Sequence, residues 1–482
     1  SSFCQLHCST TRSHTTPPGS NLMAPQVTLA SKCLAEFIGT FLLVFTVGCN
    51  VLSGNSVWAG VSIGCMLMVA IYCLGGISGG NFNPAVSVTL GIVRSLGGPG
   101  LEWPVVGIYC LVQVIAGIVA ACCYSALFKS TFNLSPAKGF NFASAGACEA
   151  LYTCMLCYVV LNVAGAKKWA EEKNQWYGLA IGFVVIAGAY GAGAVSGGCF
   201  NPAVAIGIDT ASAGLGFGWC LAYMVAELIG ASMAAVLFMF TRPEDFRQEE
   251  DEVPPSLSQK LVSEFVGTFY LVLTVGLNVL GKSPAGAFSI AASLMSMIYA
   301  LGDVSGANFN PAVSAVLLCI GKSGGGLDSF EAIHYIAVQL VGGILAAFTY
   351  TYIQHGHTFA LIPQNDSSWS QVCFAEIIFT FVLCFAVLCT AVAPQTKSTE
   401  MFGLAIGSCV TVGGFAIGGI SGGSLNPAVS CGIAASHLIH GGTLFPAVMY
   451  SLFEVTGGLL AAGAYKLTHA AEAKEDAIDQ YS

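Results

Sequence analysis

Twelve runs of mostly apolar residues dominate the chain, near 33–52, 57–75, 104–128, 145–164, 176–193, 217–240, 259–280, 284–302, 331–353, 370–393, 401–418 and 443–466. Each reaches the length of about 18 residues that lets an α-helix cross a hydrocarbon layer. Inside lipid a chain must satisfy its own backbone N–H and C=O groups, which leaves helices or a closed barrel. Barrel strands need only about 10 residues, so runs of this length predict an all-α membrane protein. With 55% hydrophobic and 9% charged residues the composition fits a bilayer and no ordinary soluble domain.

The segment Thr241 to Lys260, TRPEDFRQEEDEVPPSLSQK, is the longest polar stretch in the interior and leaves six apolar runs on each side. Across it the chain repeats itself. AEFIGTFLLVFTVGCNVL at 35–52 returns as SEFVGTFYLVLTVGLNVL at 263–280, and GGNFNPAVSV at 79–88 as GANFNPAVSA at 306–315. A weaker repeat lies within each half: E-x-x-x-T recurs at Glu36/Thr40, Glu149/Thr153, Glu264/Thr268 and Glu376/Thr380, each followed 46 to 52 residues later by Asn-Pro-Ala. Three spans per unit place successive units in opposite orientations, and six per half make the two halves parallel. With the N-terminus inside, all of the 16 Lys and Arg except Lys129, Lys138 and Lys282 fall on the cytoplasmic side, as does the C-terminus.

The chemistry concentrates in Asn83-Pro84-Ala85, Asn201-Pro202-Ala203, Asn310-Pro311-Ala312 and Asn426-Pro427-Ala428. Asparagine is a favoured N-cap and proline a favoured first helical residue, so each triplet predicts a helix start, and the apolar stretch that follows is too short to span. Two inverted half-helices meeting end to end shield their irregular loops from lipid. Their positive dipole ends and asparagine amides then converge on a narrow lumen that orients a neutral guest and opposes cations.

In these motifs the chain resembles the major intrinsic protein family, the aquaporins and aquaglyceroporins, twice over, across about residues 30–242 and 256–468. The resemblance implies six spanning and two re-entrant half-membrane helices per pore, and four pores side by side, which two such chains would supply. It places Glu36, Glu149, Glu264 and Glu376 where the family has buried glutamates that support the re-entrant loops. Glu227 and Glu454 stand where the family usually has proline, and no role follows for them. The family narrows near the outer mouth at four positions. Here these are Ile63, Ala189, Gly198 and Val204 in the first half, and Ile290, Gly414, Gly423 and Val429 in the second. Val204 and Val429 replace the usual arginine, which removes a bulky cation and several donors, widens the filter and weakens its electrostatic barrier. Asn81 and Asn308 replace a common loop histidine. Ala205 and Ser430 follow where glycerol facilitators have aspartate. Asp303 has a place only in the second half, near the inner mouth. The stretch GLAIGFVVIAGAYGAGAVSGGCFNPAVAIG is similar to plant tonoplast-type members. Passage of water with urea, ammonia, hydrogen peroxide or glycerol-sized solutes is the expectation.

The expected organisation is a disordered leader at 1–29, a first pore domain at 30–242, an acidic proline-containing linker at 243–257, a second pore domain at 258–468 and an acidic tail at 469–482. No nucleophile–base pair, phosphate loop or metal-ligand spacing points to an enzyme, a cofactor or a metal. No basic tract points to nucleic acid. Most cysteines, the Cys154/Cys157 pair included, lie in apolar runs where they act as small hydrophobes. His355, His357, His437 and His440 fall in loops as solvated groups. Two readings from other classes stay open: a secondary transporter, which also uses inverted repeats and broken helices, and a junctional or structural member with one or both pores closed.

Overall fold

A computed structural model describes residues 27–172, 174–247 and 253–469; the expected acidic tail, nearly all of the leader and the middle of the linker lie outside them. Among the described residues the regular secondary structure is all helical. In the first half, α1 (Leu29–Leu52), α2 (Ala59–Ser78), α4 (Trp103–Phe128), α5 (Phe142–Val160), α7 (Tyr177–Ser196) and α9 (Trp219–Thr241) are long, whereas α3 (Pro84–Ser95), α6 (Lys167–Glu171) and α8 (Pro202–Ala211) are short. The second half follows the same plan, with α10 (Leu257–Leu280), α11 (Gly286–Ser305), α13 (Ser329–Ile353), α14 (Trp369–Val387), α15 (Phe402–Ile417) and α17 (Phe445–Thr468), and the short α12 (Pro311–Ile320) and α16 (Pro427–His437). Eleven helices among the described residues are long and apolar enough to cross a membrane. The twelfth expected span, near 401–418, is the 16-residue α15. It stops four residues before the point where its counterpart α7 stops, and the residues it lacks include Gly418 and Gly419, poor helix formers that leave the helix as a run of turns. α5 and α14 each end in a wider π-turn, Leu161–Gly165 and Leu388–Val392.

Each half packs as a ring of long helices around the two short ones that begin with Asn-Pro-Ala: α8 lies against α4 and α9, α3 against α9 and α4, and α16 and α12 repeat this against α13 and α17. These crossings are close because glycines face backbone. A β-carbon on Gly117 of α4 would collide with the Ala203 carbonyl in the first turn of α8, and one on Gly343 of α13 with the Ala428 carbonyl of α16. Such small-residue contacts let apolar helices gain dispersion energy where lipid supplies no hydrophobic drive.

The halves meet through α5 and α7 on one side and α10 and α11 on the other. The seam is polar at chosen points. Tyr152 and Thr274 share a 3.0 Å hydrogen bond, Tyr270 donates to the Leu151 carbonyl at 3.0 Å, and Ser289 and Ser296 donate to the Ala187 and Ala180 carbonyls at 2.9 and 3.0 Å. At one end, buried Arg242 donates to Asn162 Oδ1 at 2.7 Å and to Asp303 Oδ1 at 2.6 Å. This gives Asp303 a partner from the opposite half.

Gly117→Val and Gly343→Val each force side chain into backbone, so each should destabilise the protein by about 1–3 kcal/mol, read as earlier unfolding in detergent. Gly107→Val, on the same helix but with open space around the new side chain, should unfold like the parent.

Candidate transport pathway

Each Asn-Pro-Ala triplet begins a short helix as expected, and the asparagine does two jobs at once. Asn83 Oδ1 accepts from Ala85 N at 2.8 Å, capping α3, while its Nδ2 donates to the Phe200 carbonyl at 2.8 Å in the loop before α8. Asn201 returns the arrangement, capping α8 through Ala203 N at 3.0 Å and donating to the Phe82 carbonyl at 2.9 Å. Asn310 and Asn426 do the same in the second half, donating to the Leu425 and Phe309 carbonyls at 2.8 and 2.9 Å. The half-helices therefore meet end to end through reciprocal bonds, and each amide retains a second N–H.

The residue before each of these asparagines is held in a left-handed conformation: Phe82 at φ 49°, Phe200 at 55°, Phe309 at 50° and Leu425 at 56°. For a non-glycine residue this costs on the order of 1–3 kcal/mol and persists only where the surroundings impose it. The surroundings here are the four repeated glutamates. Glu36 accepts from Ser78 Oγ, Asn81 N, Phe82 N and Gln113 Nε2 at 2.6–3.0 Å. Glu264 accepts the equivalent four from Ser305, Asn308, Phe309 and Gln339 at 2.7–2.9 Å. Glu149 takes Cys199 N and Phe200 N at 3.0 and 2.7 Å, and Glu376 takes Ser424 N and Leu425 N at 3.2 and 2.9 Å. A carboxylate is acceptor-only with room for about four donors, which matches a loop that turns two consecutive N–H groups toward each glutamate.

Six further side chains complete the cradle and were not singled out from the sequence. Tyr109, Tyr223, Tyr335 and Tyr450 donate their hydroxyls to the carbonyls of Ser78, Ser196, Ser305 and Ser421 at 2.6–2.8 Å, and Gln113 and Gln339 brace the glutamates. Their signal is a Y-x-x-x-Q/E pattern in the third helix of every unit: Tyr109/Gln113, Tyr223/Glu227, Tyr335/Gln339 and Tyr450/Glu454. Glu227 and Glu454 thus occupy the position of a loop-bracing glutamine. Glu227 Oε1 accepts from Asn201 N at 2.8 Å, and Glu454 Oε1 from Ser430 Oγ at 2.9 Å, with Ser430 and Ser424 sharing a 2.7 Å bond.

Beside each pair of half-helices runs a cavity, about 290 Å³ in the first half and about 490 Å³ in the second. Asn83 and Asn201 line the first, Asn310 and Asn426 the second. Ile63, Ala189, Gly198 and Val204 stand together on the wall of the first, and Ile290, Gly414, Gly423 and Val429 on that of the second. Each cavity also extends past the asparagines along Leu67, Leu156 and Ile181, or along Leu294, Leu383 and Ile406. The walls are mostly aliphatic and backbone, with the asparagine amides among them: a surface that offers a small uncharged polar molecule a few hydrogen bonds and offers an ion little to replace its water.

A family model described as Major intrinsic protein matches residues 23–207, 166–282 and 275–465. Among curated proteins, Aquaporin NIP2-1 of Zea mays is 34% identical over 233 residues, covering 45% of this chain and 74% of the relative. Putative aquaporin NIP4-1 of Arabidopsis thaliana is 33% identical over 193 residues, covering 38% of this chain and 64% of the relative. A solved structure of the aquaglyceroporin from Plasmodium falciparum is matched at 21% identity and a TM-score of 0.36, over 44% of this chain and 96% of that one. The NIP names do not support the tonoplast-type flavour read from 178–207. That stretch is small and apolar residues, a composition any tightly crossed pair of membrane helices draws on.

Glu264→Ala strands four buried donors, each costing about 1–3 kcal/mol, and should abolish the folded peak in detergent chromatography. Tyr109→Phe removes one neutral bond, about 1 kcal/mol, and should leave a folded protein with a modestly lower unfolding temperature.

Proposed function

This chain belongs to the major intrinsic protein family, and from that premise we propose that it is a passive membrane channel with two parallel pores, for water and small neutral solutes. The first pore domain spans about residues 30–242 and the second about 258–468, with both termini on the cytoplasmic face. The observation that carries the reading is the pair of cavities, each passing from one side of its two NPA asparagines to the other. Ile63, Ala189, Gly198 and Val204, with Ile290, Gly414, Gly423 and Val429, form the two filters. Valine where the family has arginine leaves both filters apolar and wide enough in chemistry for urea, ammonia, hydrogen peroxide or a glycerol-sized solute. The NPA amides then hold polar neutral guests while the opposed helix ends disfavour cations.

Two copies of the chain complete a four-pore ring. Support comes from unequal burial of equivalent helices. Of the most apolar stretch, 78% is buried in α10 and 72% in α11 but only 39% in α1 and 28% in α2; likewise 72% in α5 against 39% in α14. The helices α10/α11 and α5/α7 cover each other within the chain, so the bare α1/α2 face of one copy fits the bare α14/α15 face of another. Two such contacts related by a twofold axis close the assembly.

Stopped-flow swelling of proteoliposomes tests the pores. Val204→Trp and Val429→Trp should each remove one pore's share of water and urea flux, and together reduce both to the empty-vesicle rate; full flux in the double variant would contradict the reading. Native mass spectrometry should show twice the 49.7 kDa chain mass, and Val412→Arg, on the bare face of α15, should release the single chain with its fold intact.

A further inference from the structure

The chain leaves α1 and α10 by the same turn. Gly54 N donates to the Val51 carbonyl at 3.1 Å and Asn55 N to that of Asn50 at 3.3 Å; Lys282 N and Ser283 N repeat this toward Val279 and Asn278 at 3.2 and 3.0 Å. Lys282 therefore occupies the place of Gly54, and both are left-handed, at φ 51° and 69°. Glycine adopts that conformation freely, while a residue with a β-carbon meets a penalty of roughly 1–2 kcal/mol. A β-carbon on Gly54 would touch nothing within 4 Å, so the difference between the halves is not a matter of room.

The lysine side chain has a place to act. Lys282 is exposed and lines the mouth of the second cavity beside Ser283 and Pro284. Among the described residues it makes no ion pair with a carboxylate, and no other charged residue lines that cavity. Among the described residues, none that lines the first cavity is charged. An apolar cleft concentrates the field of a charge at its entrance, and at physiological salt that field reaches about 8 Å. We infer that Lys282 is a specificity-determining residue of the second pore, an ammonium at the entrance that turns away cations which the first pore's uncharged mouth does not. This inference rests on the two-pore reading. It adds, at the rim of the second pore, a second charge barrier to the one that the opposed helix ends supply in both pores.

The test compares urea with guanidinium, a planar cation of nearly the same size, in proteoliposomes whose first pore is plugged by Val204→Trp. Replacing Lys282 by Gly and then by Glu should raise the guanidinium-to-urea permeability ratio stepwise, by at least about threefold for Glu, with urea flux unchanged. The gain should shrink in 0.5 M salt, where screening is stronger. Gly54→Lys in the Val429→Trp background should lower the ratio for the first pore. Equal ratios in the Lys, Gly and Glu proteins, or a urea flux that changes in step with guanidinium, would overturn the assignment. Urea flux persisting with both plugs in place would instead show that the underlying two-pore reading has failed.

Discussion

Two helix starts abutting in the middle of an apolar layer, each with an N–H-less proline at its first position, present six backbone N–H groups with no helical partner, in a place where no bulk water can take them. That constraint organises the molecule. The asparagines spend their oxygens on their own helix and an N–H on the opposite loop. Glutamates from neighbouring long helices collect the remaining loop donors and hold the left-handed residue that turns the chain into each helix. Remove the carboxylates and the turn has nothing to oppose its strain; remove the turn and the asparagines no longer face the lumen. Reciprocal bonds between the half-helices also make the middle of each unit rigid, which suits a fixed passage better than the rocking halves of a transporter.

The duplication has let equivalent positions take different chemistry. Where the halves meet inside the chain, Tyr152 bonds Thr274 and Tyr270 bonds the Leu151 carbonyl. The repeat-related positions, on the faces left bare, are Phe379 for Tyr152 and Leu42 for Tyr270, beside Thr46 and Ile378. The internal seam is thus marked by hydrogen bonds between the halves, and its outward-facing copy is apolar but for Thr46, whose hydroxyl bonds back to its own helix. Asp303 belongs to the same divergence. Its counterpart is Gly76, and the added carboxylate is used to receive Arg242 from the other half. Fusion fixes which halves are neighbours, and only then can one of them carry a charge that the other must meet.

Much of this was legible before any coordinates, for local reasons. Asn-Pro-Ala is a cap and a first helical residue in three letters, so its helices could be read directly; fourfold E-x-x-x-T marked the repeat, and the family resemblance gave its glutamates their supporting role. The filter positions followed from the family resemblance, and all eight stand on the cavity walls. The tyrosines and Gln113 and Gln339 were missed because a single polar residue in an apolar run shows no partner along the chain; Tyr109 and Ser78, which meet, are 31 residues apart. Glu227 and Glu454 had no account for the same reason, until their alignment with the glutamines across the inverted units became visible in space. The run near 401–418 was read to within a residue at each end, because α15 stops where two adjacent glycines begin.

The central claim is that NPA half-helices meet beside a continuous passage twice in one polypeptide. A density map of the protein in lipid nanodiscs, at a resolution that shows ordered water, tests it most directly. The account requires a file of water through each half, passing within hydrogen-bonding reach of Asn83 and Asn201 in one and of Asn310 and Asn426 in the other. Water files that stop short of these amides, or asparagines turned outward into aqueous loops, would contradict it.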